Sequence, residues 1–538
     1  MFRYAFASLL SLGLLGVFLF IISALVFFFT PLMGMFGLAG ILVLEAVLFA
    51  LVWRCGPWVN DIINQWFYKL AWISPEKFTE LDPDLKAFIE QVCAKEGIAV
   101  PKFGVIDDDN PQAFTYGSDH WNARMVFTYG VFKILDKDER KAVAAHELGH
   151  IVHRDFIVMT MASFILTALY TIGRTLMGSK DSSDNKDRGA LAIVGIISLV
   201  FYYIGTYVLL YLSRMREYWA DEYSKEKTGS GNYLSTALVK IAYGIVSAKE
   251  KQNTSNLMEG TRTMGIYDHK ASKTFGLVGS DYVNNSDKQT VMHAIAYDLK
   301  NLWAFWLELS SSHPLTGKRI AALIEGESAA VFDVNAARNI PFDNAKHQRE
   351  FATDWLVSYL WIVLGAIGLA GMLFVDFKLS LVLAFFGIAI GFFIKTFYKF
   401  PSQNADAATV DVLMADLYAS PIRGRPCQLT GQIMGRGVPG YMFSEDLMFQ
   451  DKTGIIYLDY QAGIPLIGNL IFALKDAQKL VGHDAECKGW FFRGMGQMVC
   501  LDYLESKEQQ MKVVSRQKTW SILGACIPLL VGVILLVI

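Results

Sequence analysis

The sequence predicts a polytopic α-helical membrane protein of about seven spans that also carries a folded α+β domain and a small C-terminal β-barrel-like domain. Three observations predict it. Charged residues make up only 19% and apolar residues 53% of the 538-residue chain, against roughly 25% charged in an average soluble domain. Uncharged apolar runs long enough to cross a bilayer alternate with polar stretches. The last polar stretch alternates apolar and polar residues in short runs, the period of half-buried strands. The same numbers exclude other classes. A balance of 49 basic against 51 acidic residues leaves a net charge of -2, which excludes both a disordered, highly charged chain and nucleic-acid binding by bulk charge. Cys55, Cys93, Cys427, Cys487, Cys500 and Cys526 include no CxxC pair, so they read as free thiols rather than a zinc ribbon or a disulfide framework.

The elements follow in chain order. Residues 5–30 carry no charge, a stretch longer than the roughly 20 residues a helical span needs. Residues 31–53 follow at once as a second apolar run, so the two read as a hairpin rather than a cleaved leader. Further spans are expected at 156–177, 190–212, 355–375, 379–394 and 519–538. The 379–394 run is short; it depends on pairing across the Asp376-Phe377-Lys378 turn, with Lys395 placed to snorkel. The domains are then a hairpin at 1–53, a soluble domain at 54–354 with an inserted hairpin at 156–212, a hairpin at 355–394, a β-rich domain at 400–518 and a last span at 519–538. Arg3, Arg54, Lys69, Arg154, Arg214, Arg216, Lys395, Lys399, Arg516 and Lys518 all fall on one side of this arrangement. That side is expected to be cytoplasmic, although Lys180, Lys186 and Arg188 in the opposite loop count weakly against it. Glu45 and Arg174 are charges inside spans, hence candidates for function by default; Arg174 lies near a helix end and snorkels, while Glu45 is deeper.

Within the first soluble stretch the spacing predicts a juxtamembrane helix at 61–70, a helix at 83–96 stopped by Gly97, and strands at 102–106, 112–116 and 124–128. Phe-Thr-Tyr-Gly occurs at 114–117 and again at 127–130, which reads as two strand ends with glycine turns. Residues 249–288 read as long loops around short helices that cover a site. In the last stretch, alternating runs at 427–434, 454–460, 486–492 and 498–503 predict the barrel, and its ligand is unknown. The apolar run at 464–474 fits either a core helix or a piece touching the membrane surface.

The sharpest chemical signal is His146-Glu147-Leu148-Gly149-His150, on a helix that Asp136 or Asp138 can cap. Imidazoles at i and i+4 stand one turn apart on one face, where both can reach one zinc ion, with Glu147 beside it to take a proton from a water. A bare HExxH also arises as a surface charge pattern, so context decides. Catalytic zinc needs a third protein ligand and an open fourth position. Ser213-Arg214-Met215-Arg216-Glu217-Tyr218-Trp219-Ala220-Asp221 supplies Glu217, and it starts where one span ends, just as HELGH ends where another begins. An antiparallel pair of spans brings both to one level. Asp221, one turn on, can hold a ligand histidine by its free N–H. Glu222 is rotated away, and His153 has the wrong spacing for a metzincin ligand.

These residues resemble the membrane zinc endopeptidases of the HtpX heat-shock type, related to the CAAX prenyl endopeptidases. The resemblance covers about residues 53–323 and rests on HELGH, the S-R-x-x-E-x-x-A-D run at 213–221, and Ser312-His313-Pro314 followed by Arg319. It implies a zincin-type fold with one zinc per chain on His146, His150 and Glu217, and Glu147 as base. It also implies a late His-Pro segment near the site, making His313 a candidate donor to the oxyanion with Arg319 holding the segment. The family often shows Asn-Ala-Phe upstream, where this chain has Gln112-Ala113-Phe114. Zinc peptidases commonly take substrate as an added strand, and Met125, Val126 and Phe127 are the expected edge, with Gln112 nearby. The expected function is peptide-bond hydrolysis at the cytoplasmic face of a bacterial plasma membrane, on protein substrates that include damaged membrane proteins, without nucleic acid. A site-two-type intramembrane protease would bury HExxH in an apolar span, and here charged residues precede it. The other alternative is a catalytically silent zinc-binding adaptor or transporter, with His313 as a fourth ligand.

Overall fold

A computed structural model of the chain describes residues 37–178, 185–247, 275–276, 279, 282–283 and 288–538, apart from 403, 437–445, 466 and 495. The expected span at 5–30 and most of the expected loop at 249–288 lie outside the described residues. Among the described residues, six helices are long and apolar enough to cross a membrane.

Helix α1 (Gly37–Tyr68) runs through Pro57 without a break, so the separate helix expected at 61–70 is the end of the same rod. Proline removes one backbone hydrogen bond from that rod and crowds the carbonyl four residues earlier, without ending the helix. After the short strand β1 (Ala71–Trp72), helix α2 (Pro83–Glu96) starts where Asp82 accepts the Leu85 N–H at 3.0 Å and ends at Gly97, which takes φ 64. Its Leu85, Ile89, Val92 and Cys93 are buried. Strands β2 (Lys102–Ile106), β3 (Ala113–Gly117) and β4 (Ala123–Thr128) complete a sheet of order β1-β2-β4-β3. The sheet corrects one expectation. β4 is hydrogen-bonded to β2 on one side and β3 on the other, and Met125, Val126 and Phe127 are fully buried, so the open edge is β3. All six β4 positions are buried, and a strand covered on both faces loses the polar alternation that marks an edge.

Helix α3 (Lys137–Val152) opens on a capping box in which Asp136 and Glu139 satisfy each other's backbone N–H groups. Helix α4 (Asp155–Gly178) then enters the membrane. Helix α5 (Asn185–Thr228) returns as one rod of 44 residues, continuing past the span into the soluble domain. Helix α6 (Gly231–Ser247) backs α3, and α7 (Gln289–Lys300) and α8 (Thr316–Leu323) close the domain.

Helices α9 (Asn344–Ala370) and α10 (Phe377–Lys399) form the expected hairpin, and α10 is longer than its apolar run because the helix continues through Lys395 and Lys399. Their contact is made of glycines. A Cβ on Gly368 would stand 2.4 Å from the Ala384 nitrogen, and one on Gly391 would stand 2.3 Å from the Trp361 Cα. Membrane helices associate by such close packing, since lipid offers no hydrophobic drive between them.

The β-rich domain consists of β5 (Asp406–Ala407), β6 (Arg425–Arg436), β7 (Leu447–Gln450), β8 (Ile455–Asp459), β9 (Asp484–Arg493), β10 (Gln497–Ser506) and β11 (Met511–Val514). Pairing runs β6-β7-β8-β10-β9 and back to β6, a closed five-strand barrel with β8 and β10 parallel. With helical pieces between β8 and β9, this is the strand order of an OB-type barrel. The barrel docks on α7. The Arg493 guanidinium lies 3.6 Å over the Tyr297 ring, and Asn301 Nδ2 donates to the Leu417 carbonyl at 2.8 Å. That contact puts the soluble domain and the barrel on one side of the membrane. The last helix, α11 (Gln517–Val537), packs against α10.

Gly391→Val is expected to force α9 from α10 and to destabilise the protein by about 1–3 kcal/mol, the usual cost of overpacking. The melting midpoint in detergent reads it. Gly524→Val on α11, where an added Cβ meets nothing within 4 Å, serves as the control that should leave the midpoint unchanged.

Candidate metal centre

The site is assembled where α3, α4 and α5 meet at the membrane boundary. Gly149 is what lets the two site helices approach: a Cβ there would stand 3.0 Å from the Ala220 Cα. One turn before Ala220 on α5, Glu217 faces the two histidines of α3. Ser224 locks the pair further on, its hydroxyl donating to the Ala142 carbonyl at 2.7 Å.

His146, His150 and Glu217 each offer one ligand atom to a common point, and these atoms lie within 4.8 Å of one another. The His146 and His150 Nε2 atoms are 3.2 Å apart, with the rings nearly perpendicular at 89°. Glu217 Oε2 is 3.6 Å from His146 Nε2, and Oε1 is 3.7 Å from His150 Nε2. The far nitrogens are held by carboxylates: His146 Nδ1 lies 2.9 Å from Asp221 Oδ1, and His150 Nδ1 lies 2.6 Å from Asp155 Oδ2. A ring nitrogen facing a carboxylate carries the proton, so each Nε2 presents a lone pair. Two ring nitrogens 3.2 Å apart, beside a buried Glu217 carboxylate whose Oε2 has only the longer Arg319 and His146 contacts, suit a cation. The donor set of two imidazoles and one carboxylate suits zinc. Burial opposes protonation of His146, but the Asp221 and Glu217 carboxylates overcome it and lift the metal-free imidazole to about 9, so a cation takes the Nε2 lone pair by displacing a proton.

The expected residues divide as follows. Asp221 reaches His146, and Arg319 grips Asp221 with two nitrogens at 2.8 and 2.6 Å while its third stands 3.5 Å from Glu217. His313 Nε2 lies 3.7 Å from Glu217 Oε1, on the open side of the group. Glu147 is fully buried and accepts the Thr115 hydroxyl at 2.9 Å. Burial raises its carboxyl above the ordinary value, with His150 and His146 pulling the other way. Glu222 is exposed and His153 packs near Tyr223 and Trp219, both away from the group. Gln112 precedes β3, and its backbone N–H donates to the Thr128 hydroxyl at 2.8 Å.

Sequence reasoning missed Asp155, Arg216 and Thr115. Arg216 Nη2 pairs with Asp155 at 2.6 Å and so braces the carboxylate that holds His150. A signal existed for Asp155, the first acidic residue after HELGH, at the mouth of α4, whereas Thr115 carries none until the β3 edge is known.

A cavity of about 470 Å³ opens from this group. One wall is the β3 edge at Thr115, Tyr116 and Gly117; the opposite wall is span residues, Phe49, Val52 and Trp53 of α1 with Phe156, Met159 and Ser163 of α4. Asp61 of α1 fixes the geometry of these walls, receiving Arg124 at 3.0 and 2.9 Å and the Tyr116 hydroxyl at 2.8 Å.

Comparisons with known proteins bear on this site. The profile of peptidase family M48 matches residues 79–327. A protease HtpX homolog of Methanothermobacter thermautotrophicus is 36% identical over 159 residues, 30% of this chain but only 59% of the relative's own length. A protease HtpX homolog of Aeropyrum pernix is 30% identical over 305 residues, 55% of this chain and 88% of the relative. Among solved structures, the crystal structure of S. mikatae Ste24p aligns at 20% identity over 60% of this chain and 66% of that one, with a TM-score of 0.37.

Arg319→Leu strands the buried Asp221 and Glu217 carboxylates without their cation, a loss of about 3–5 kcal/mol for breaking a buried pair. Arg319→Lys keeps the charge but not the two-pronged grip, and falls between. Unfolding midpoints of the metal-stripped protein should rank parent, Lys, Leu.

Proposed function

The chain belongs to peptidase family M48, alongside the HtpX homologues, and from that premise we propose that it is a zinc-dependent endopeptidase cleaving membrane-associated proteins at the cytoplasmic membrane surface. One observation carries the reading: two imidazole Nε2 atoms and a carboxylate converge on one point, with a further buried carboxylate beside it. His146, His150 and Glu217 would hold the zinc, which supplies Lewis-acid polarisation of the scissile carbonyl and acidifies a water.

The chain's own residues do the rest. Glu147 takes the proton from the attacking water and returns it to the leaving amine, one carboxylate serving both transfers. Thr115 orients it, since the hydroxyl fixes Oε2 and leaves Oε1 for the water. His313, on the open side of Glu217, donates to the oxygen of the tetrahedral adduct. Asp221, Asp155 and Arg319 hold the ligands in orientation. Substrate lies along the β3 edge, adding a strand beside Thr115, near Gln112 and in place of the buried β4. Because the opposite cavity wall is made of span residues, substrates anchored in or resting on the bilayer have the shortest path to the site. Basic flanks support a cytoplasmic position for that face, and in a bacterial plasma membrane such a site suits quality control of membrane proteins.

A second reading keeps the zinc and discards the chemistry. His313 stands 3.7 Å from Glu217, so it is within reach of closing the fourth position and turning the centre into a structural site of a membrane adaptor or transporter.

The two readings separate in one experiment on the detergent-purified chain with an unfolded model protein. Glu147→Gln is expected to keep one zinc per chain and to lose about 10²–10⁴ in cleavage rate, the span of general acid–base contributions. His146→Ala should lose the zinc as well. Equal cleavage by parent and Glu147→Gln, or none by either, would sink the peptidase reading.

A further inference from the structure

The barrel is closed at one end by helical pieces between its third and fourth strands, Ile467–Ile471, Phe472–Asp476 and Ala477–Leu480. Their inner face is the plug. Phe472 lies against Tyr460 with ring centroids 4.0 Å apart, and Ala473, Ala477 and Leu480 are buried. On a soluble barrel the outer face of such a plug is polar. Here it carries Ile464, Ile467, Leu470, Ile471 and Leu474, each between 38 and 64% exposed. A helical segment apolar on both faces needs two apolar surroundings, and the barrel interior is only one of them.

The second lies beside it. The start of the segment is tied to the start of α11: the Gln461 N–H donates to the Ser515 hydroxyl at 3.2 Å, the Arg516 N–H to the Gln461 carbonyl at 2.7 Å, and Trp520 Nε1 to the Ala462 carbonyl at 3.1 Å. Inside the segment, Asn469 turns back and accepts the Ala462 N–H at 2.7 Å, so the exposed aliphatics are held close to that junction. Tryptophan at the first turn of a span marks the headgroup layer. The exposed aliphatics at 464 and 467–474, tied to that turn, are thus set near the level where headgroups would give way to acyl chains.

We propose that Ile464 and residues 467–474 form a bilayer-seated wedge: the outer face of the barrel plug rests in the lipid of the leaflet that faces the soluble domain. The partner is lipid rather than a second chain, because the membrane surface is continuous with the junction that anchors the segment. Lys475, exposed just past Leu474, is placed to reach lipid phosphates. The barrel is then held at two points, by α7 of the soluble domain and by the bilayer, and its orientation to the membrane is fixed.

The test uses the full chain in lipid nanodiscs, with Cys55 and Cys526 replaced by serine so that the remaining native thiols are the buried ones. An environment-sensitive fluorophore is placed by Leu470→Cys, and by Lys507→Cys in the exposed β10–β11 turn as control. The expected result is quenching by a lipid-borne nitroxide that is several-fold stronger at 470 than at 507, with blue-shifted emission at 470. Quenching at 470 by a water-soluble nitroxide, equal to that at 507, would overturn the proposal. So would shielding at 470 from both quenchers, which would mean that protein covers the wedge. Ile467→Cys repeats the measurement if the first variant does not fold.

Discussion

The structure depends on a buried cluster of charge at the membrane boundary. His146, Glu147, Glu217, Asp221 and Arg319 are all withdrawn from water, and each is tolerable only because a neighbour answers it. Arg319 answers Asp221 and part of Glu217, Asp221 answers His146, and Thr115 answers Glu147. What the side chains leave unanswered is a single point, between two imidazole nitrogens and a carboxylate oxygen. The remainder of the architecture can be understood as what is required to hold that point still.

Much of that rigidity comes from helices that do two jobs. α5 leaves the membrane and, without a break, presents Glu217 and then Asp221 one turn later. α3 ends at His150 and the chain turns straight into α4, whose first residue, Asp155, reaches back to His150. Ligands, their orienting carboxylates and the spans therefore share two rods and one tight turn. The close approach at Gly149 and Ala220 sets the spacing of the rods, and Arg216 on one rod pairs with Asp155 on the other. Little play remains between the membrane and the site.

The legible part of this was whatever is local in sequence. The HELGH spacing, the caps at Asp136 and Gly97, the apolar spans within the described residues and the strand pattern of β2 need no partner to be read. Glu217 was also legible, because two spans of known length fix where their ends meet. Strand order was not: β4 is a run with no polar alternation, and nothing local says which neighbours cover it. The same holds for Thr115, whose part in the site exists only once β3 is the edge. Pro57 shows the converse failure, since a residue that usually ends a helix is passed through where the span is long enough to absorb one missing bond.

The barrel's relation to the site follows from one helix, α7. Arg493 of the barrel stacks on Tyr297, and it is wholly buried there, with Nη1 donating to the Met414 carbonyl at 2.6 Å. The adjacent residue, Asp298, turns the other way and accepts the Gly317 N–H of α8 at 2.9 Å. Only glycine fits at that point, since a Cβ on Gly317 would stand 2.8 Å from the Asp298 oxygen. Two residues further along α8, Arg319 reaches Asp221 and so the metal group. The barrel and α8, which carries Arg319, thus grip neighbouring residues of α7. Separating the barrel from α7 would expose a guanidinium stacked in a dry contact and free the helix against which α8 is set. A domain outside the matched peptidase stretch is in this way tied, through α7 and α8, to the arginine that braces the candidate metal site.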